Sequence, residues 1–116
     1  MTPVATDRKV RWAARAALDR KAVDLVVLDV QGLSSVTDFF VVCSGRSTTH
    51  VASIVDAVRA AMKAEGLLFH AEGTPESGWM LLDYGDVLVH VFLEETRMYY
   101  ALERLWGDAP SVPVER

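Results

Sequence analysis

Few side chains in this chain have types that invite chemistry. They are one cysteine, Cys43, three histidines, His50, His70 and His90, and the turn Ser44-Gly45-Arg46-Ser47. A Ser/Gly turn that feeds a helix can cradle a phosphate with its backbone N–H groups. Ser44–Ser47 lacks the spacing of a P-loop and the three glycines of a dinucleotide loop, so a turn with an N-cap serine explains it as well. Phosphoryl transfer also needs paired carboxylates on one strand to hold two metal ions. No Asp-x-Asp or Glu-x-Asp occurs in the sequence, and Asp83 and Asp86 flank a tight turn instead of sharing a strand face. The histidines lack metal-ligand spacing such as His-x-x-x-His. His90 alternates with Val89 and Val91. It can be a half-buried, hydrogen-bonded side chain or, paired with Asp86 or Asp38, a general base. Cys43 sits in an apolar run and reads as a small buried hydrophobe. No set of nucleophile, base and orienting acid assembles, which points away from an enzyme. The catalytic alternative is turnover of a nucleotide or phosphate ester by Ser44–Ser47 with His90.

A second group of residues suits recognition. In Trp79-Met80-Leu81-Leu82-Asp83, strand alternation puts Trp79, Leu81 and Asp83 on one face and Met80 and Leu82 on the other. A tryptophan beside an acid has the composition of an interface anchor. Tyr84 adds an aromatic between Asp83 and Asp86, and aromatics ringed by acids suit a basic protein surface. Tyr99, Tyr100 and Trp106 form another cluster, better suited to core packing or a dimer seam.

These residues need a scaffold, and the periodicity supplies one. Val10, Ala13, Ala14, Ala17 and Leu18 make one stripe of a helix over Asp7–Lys21. Asp24–Asp29 and Phe39–Ser44 are short apolar runs suited to buried strands, with a turn at Gln31–Ser35 between them. Ser47 caps a helix over Thr48–Glu65, whose face is Val51, Ile54, Val55, Val58 and Met62, and Gly66 ends it. Leu67–His70 is expected as a strand and Glu72–Gly78 as a loop. Trp79–Leu82 and Val87–Leu93 form a hairpin around Asp83–Asp86. A last helix spans about Glu95–Trp106. The expectation is a single α/β domain over 7–108, order αββαβββα, between a flexible start (1–6) and a flexible tail (109–116). Its mixed sheet has about five strands with flanking helices. The crossover helix is compatible with a parallel pairing of the second and third strands.

Composition sets the outer limits. At 116 residues, 51% hydrophobic and 24% charged, the chain is a one-domain globule and not a disordered segment. No apolar run approaches the ~20 residues of a membrane span, and one cysteine rules out an internal disulfide framework. A cytoplasmic location is the expectation. The net charge of −4 conceals a segregation. Residues 1–21 carry six basic and two acidic side chains, net +4, and the remainder carries six basic and fourteen acidic, net −8. Such a body is repelled by DNA and drawn to basic surfaces.

Five blocks resemble the ribosomal silencing factor, or iojap-like, family. They are Leu-Asp-Val-Gln-Gly (28–32), Ser-Ser-Val-Thr-Asp-Phe-Phe-Val-Val-Cys-Ser-Gly (34–45), Ser-Thr-Thr-His-Val (47–51), Gly-Trp-Met-Leu-Leu-Asp-Tyr-Gly-Asp-Val-Leu-Val-His-Val-Phe (78–92) and Tyr-Tyr-Ala-Leu-Glu-Arg-Leu-Trp (99–106). The match extends over about 7–108. The resemblance implies a nucleotidyltransferase-like fold without the catalytic carboxylates, and no cofactor. It implies docking on the large ribosomal subunit through ribosomal protein fourteen, where it blocks small-subunit joining and represses translation under nutrient limitation. By position, Trp79, Asp83, Tyr84 and Asp86 would lie at or near the docking surface. It also implies a homodimer when unbound. From charge and apolar-run length, no DNA or membrane partner is expected. The first helix carries no family signature; its +4 charge alone suggests that any RNA contact is peripheral and made through it.

Overall fold

The computed structural model describes residues 6–33, 37–67 and 69–100. The small apolar stripe of the first helix, α1 (Thr6–Asp19), is buried at Val10, Ala13, Ala14, Ala16 and Ala17. It packs beside α2 (Thr48–Ala64), which buries Val51, Ile54, Val55, Val58 and Met62. Ser47 caps α2 by accepting the His50 N–H at 3.1 Å. α1 ends with Lys21 N–H on the Leu18 carbonyl at 2.8 Å and Ala22 N–H on the Ala17 carbonyl at 3.1 Å. That Schellman pattern puts Lys21 at φ 60, where glycine is the usual residue.

The strands are β1 (Val23–Asp29), β2 (Phe39–Gly45), β3 (His70–Thr74), β4 (Trp79–Asp83) and β5 (Val87–Leu93), followed by α3 (Glu94–Tyr100). They form one mixed sheet in the order β1-β2-β5-β4-β3. The β2–β5 pair is parallel and the other pairs are antiparallel. The expected αββαβββα order and five strands are present in the described residues. The expected last helix is seen from Glu94 to Tyr100; its continuation to Trp106, the Tyr99/Tyr100/Trp106 cluster and the tail fall outside the residues and side chains described.

Two expectations need correction. The third strand is His70–Thr74, not Leu67–His70, so part of the expected loop pairs with β4. Every residue of β3 is exposed, so His-Ala-Glu-Gly-Thr shows no apolar pattern, and its partner strand alone imposes the conformation. The parallel neighbour of β2 is β5, not the third strand. β5 is buried from Val87 to Phe92 and takes the centre of the sheet, whereas polar β3 can occupy only an edge.

Alternation divides the sheet into two faces. Val27, Val41, Cys43, Leu82, Val87, Val89 and Val91 pack with α1 and α2. Leu28, Val30, Phe40, Val42, Leu88 and Phe92 form a second cluster on the opposite face, with Val26, Trp79 and Leu81 against it. No helix among the described residues is long and apolar enough to cross a membrane.

Candidate functional site

The face opposite α1 and α2 is a grid set by register. One row runs Thr74–Trp79–Phe92–Ser44–Val23 across all five strands. The next same-face row is Glu72–Leu81–His90–Val42–Val26, and the third is His70–Asp83–Leu88–Phe40–Leu28. At the β4–β3 side these rows gather Trp79, Leu81 and Asp83 beside Glu72. Glu72, Gly73, Trp79 and Leu81 line a groove of about 190 Å³.

Trp79 is held in one orientation. Its indole N–H donates to His90 Nδ1 at 3.1 Å, and its ring stacks on Phe92 with centroids 5.1 Å apart at 24°. Because Nδ1 accepts, the imidazole proton sits on Nε2. Nε2 is enclosed without a hydrogen-bond partner among the described residues. Burial alone pulls the His90 pKa down to about 4, so the ring stays neutral and remains an acceptor.

Two glycines let the backbone deliver Trp79. Gly78, at φ 81, ends the single turn Pro75–Ser77, and its carbonyl accepts the Leu93 N–H at 2.9 Å. A side chain there would meet Thr96 Oγ1 at 2.2 Å. Gly73, at φ 88, brings β3 so close that a Cβ would lie 2.1 Å from the Trp79 carbonyl oxygen.

The four residues assigned to the docking surface separate into two pairs. Trp79 and Asp83 share the grid face. Asp83 also accepts the Gly85 N–H at 2.7 Å, shaping the hairpin tip. Tyr84 turns to the helix side, 6% exposed and 5.7 Å from the Phe69 ring. Burial pushes its phenol up to about 12. Asp86 binds Lys9 Nζ at 2.8 Å and the Thr6 hydroxyl on α1. Burial acts to raise its pKa, but the Lys9 and Thr6 hydrogen bonds and the Lys9 charge hold it below the usual carboxylate range. Tyr84 and Asp86 therefore anchor the hairpin to α1 and the core and do not join Trp79. Leu81 and Glu72 lie beside Trp79 and Asp83 on the grid face. Leu81 was legible from alternation, whereas Glu72 carried no signal because its strand was read as a loop.

The residues of the catalytic alternative serve structure. The Ser44 hydroxyl is 3.0 Å from Arg97 Nη1, and Ser47 caps α2. His90 pairs with Trp79 instead of Asp86 or Asp38. Cys43 is fully buried, and burial raises its thiol to about 12 despite the nearby Arg97 charge. No group of three metal-ligating side chains occurs among the described residues. The arrangement suits binding: an apolar anchor of fixed orientation flanked by two carboxylates.

The family model described as ribosomal silencing factor during starvation matches residues 3–116. The protein named ribosomal silencing factor RsfS from Bacillus subtilis is 43% identical over 107 residues, covering 91% of each chain. That from Halalkalibacterium halodurans is 41% identical over 107 residues, covering 91% of this chain and 92% of its own. A crystal structure of a Chromobacterium violaceum protein superposes with a TM-score of 0.86 at 33% identity, covering 90% of this chain and 88% of that one.

Proposed function

The chain belongs to the ribosomal silencing factor family, and on that premise we propose that it docks on the large ribosomal subunit through ribosomal protein fourteen. There it sterically blocks small-subunit joining and so represses translation in the cytoplasm under nutrient limitation. No bond is made or broken in this mechanism. Its contribution is an occupied surface.

The observation that carries the reading is Trp79, fixed by His90 and Phe92 and flanked by Leu81, Glu72 and Asp83. An aromatic whose rotamer is already set loses little entropy on binding, which is how interface anchors gain affinity. The acidic body, net −8 beyond residue 21, steers the face towards a basic ribosomal protein. A standard interface of about 800 Å² per partner is enough to obstruct a joint between subunits. In the unbound state the Trp79–Leu81 patch favours pairing with a second copy, which sedimentation of the free protein would detect.

The test is co-sedimentation with isolated large subunits. Trp79→Ala should fold with unchanged circular dichroism and lose at least tenfold in affinity, the scale of a binding hot spot. Undiminished binding by this variant would remove Trp79 from the interface.

A further inference from the structure

The basic charge of the N-terminal segment has a place in the fold that silencing by occupied volume does not use. Where α1 ends and β1 begins, the chain faces the β2–α2 turn across a groove of about 470 Å³. Arg15, Lys21 and Arg46 line it against one acid, Asp19. Arg15 and Lys21 pair with no carboxylate among the described residues. Arg46 meets Glu94 only at 3.8 Å, with side chains 77% and 48% exposed, a contact that solvent weakens to little. Lys9, by contrast, is consumed by Asp86, and Arg20 turns away to Ser53 Oγ at 3.0 Å.

The walls are fixed. Arg46 N–H donates to His50 Nδ1 at 2.9 Å, which puts the imidazole proton on Nε2, 2.8 Å from the Arg20 carbonyl oxygen that accepts it. His50 therefore ties the end of α1 to the start of α2. Lys21 itself holds a left-handed backbone, φ 60, at a position where glycine is easier. The sequence tolerates that strain with a cation at the groove.

Register also places the groove. Val23, on its lining, belongs to the same row as Trp79, three strand spacings away, or about 14 Å. The groove and Trp79 thus lie at the same end of the sheet, the groove on the α1 side and Trp79 on the opposite face. We propose that this groove binds the phosphate backbone of RNA beside the docking site, with Arg15, Lys21 and Arg46 each neutralising phosphate. This inference rests on the docking reading above. Guanidinium forks match phosphate oxygens in pairs, and Lys21 adds a point charge. The net −8 remainder of the chain repels phosphate, so RNA contact is confined to this corner.

Binding to isolated large subunits is measured against salt for wild type, Trp79→Ala and the triple variant Arg15→Ala/Lys21→Ala/Arg46→Ala. The triple variant should lose about two to three units from the slope of log affinity against log salt. Trp79→Ala should lose affinity with its slope unchanged. If the triple variant binds with the wild-type slope, the phosphate site is wrong while docking stands. If wild type does not bind at all, the docking reading and this inference fall together.

Lys21→Gly separates function from folding. It should raise the melting temperature by about 3 °C by relieving the backbone, yet flatten the salt slope by about one unit. A more stable variant with the wild-type slope overturns a role for Lys21. The RNA assignment is tested with Lys21→Cys carrying a maleimide-linked photo-crosslinker, since Cys43 is fully buried and escapes labelling. Cross-links to ribosomal RNA support the proposal, and cross-links to protein alone refute it.

Discussion

Acidification should destabilise this fold through one side chain. An unfolded histidine takes up its proton below about pH 6.5, but native His90 takes none until about pH 4. Between those values the unfolded chain binds one more proton than the native chain, so stability falls as pH falls. The full contribution is present above the unfolded value and is lost through that window. At a limiting slope of about 1.4 kcal/mol per pH unit, the cost reaches about 2.5 kcal/mol at roughly pH 4.5. Because His90 is 5% exposed, solvent screening hardly reduces this figure. Urea unfolding followed by tryptophan fluorescence, repeated from neutral pH downwards at constant ionic strength, measures it. His90→Phe replaces the imidazole by a ring that cannot titrate, and His90→Gln is a second such variant. Either one alters the bond from Trp79 and so shifts stability at neutral pH, but both should flatten the slope between about pH 6.5 and 4.5. If they keep the wild-type slope, another group is responsible and the buried neutral imidazole is the wrong description.

Other perturbations test neighbouring parts of the account. Gly73→Ala, with a Cβ driven against the Trp79 carbonyl at positive φ, should cost about 2 kcal/mol and alter Trp79 fluorescence, read by thermal unfolding and emission spectra. Lys9→Met removes the partner of Asp86 and should cost about 1 kcal/mol at neutral pH. Since the native Asp86 pKa is depressed, that difference should begin to shrink as pH falls below about 4, where the unfolded carboxyl takes its proton, and vanish only once the native carboxyl is protonated as well. The thiol of Cys43, raised from 9.0 to about 12, ionises first in the unfolded chain, so stability should fall as pH rises above 9.0. Cys43→Ala should remove that part of the alkaline loss, and native Cys43 should resist thiol reagents until the protein unfolds.

What the sequence disclosed follows from which interactions are local. The stripe from Val51 to Met62 and the hairpin at Asp83–Asp86 rest on periodicity and turn chemistry, and both stand as read. Alternation also assigned Trp79, Leu81 and Asp83 to one face. β3 escaped because an exposed edge strand needs no apolar pattern, and with it Glu72 escaped. Tyr84 misled for a related reason. Flanked by acids and glycine it resembles a surface tip, but strand parity carries it to the face of Met80 and Leu82, where Phe69 receives it. Asp86 could be assigned to Lys9 only once α1 was known to lie against the hairpin, 77 residues away in sequence. The Trp79–His90 bond likewise depends on strand order, which no local pattern encodes.

Joining of purified small and large subunits, followed by light scattering, tests the central claim most directly. Added wild-type protein should suppress joining in a dose-dependent way, and Trp79→Ala should suppress it at least tenfold less well. Subunits that join equally well with and without the wild-type protein, at concentrations where it is bound, would contradict silencing by occlusion.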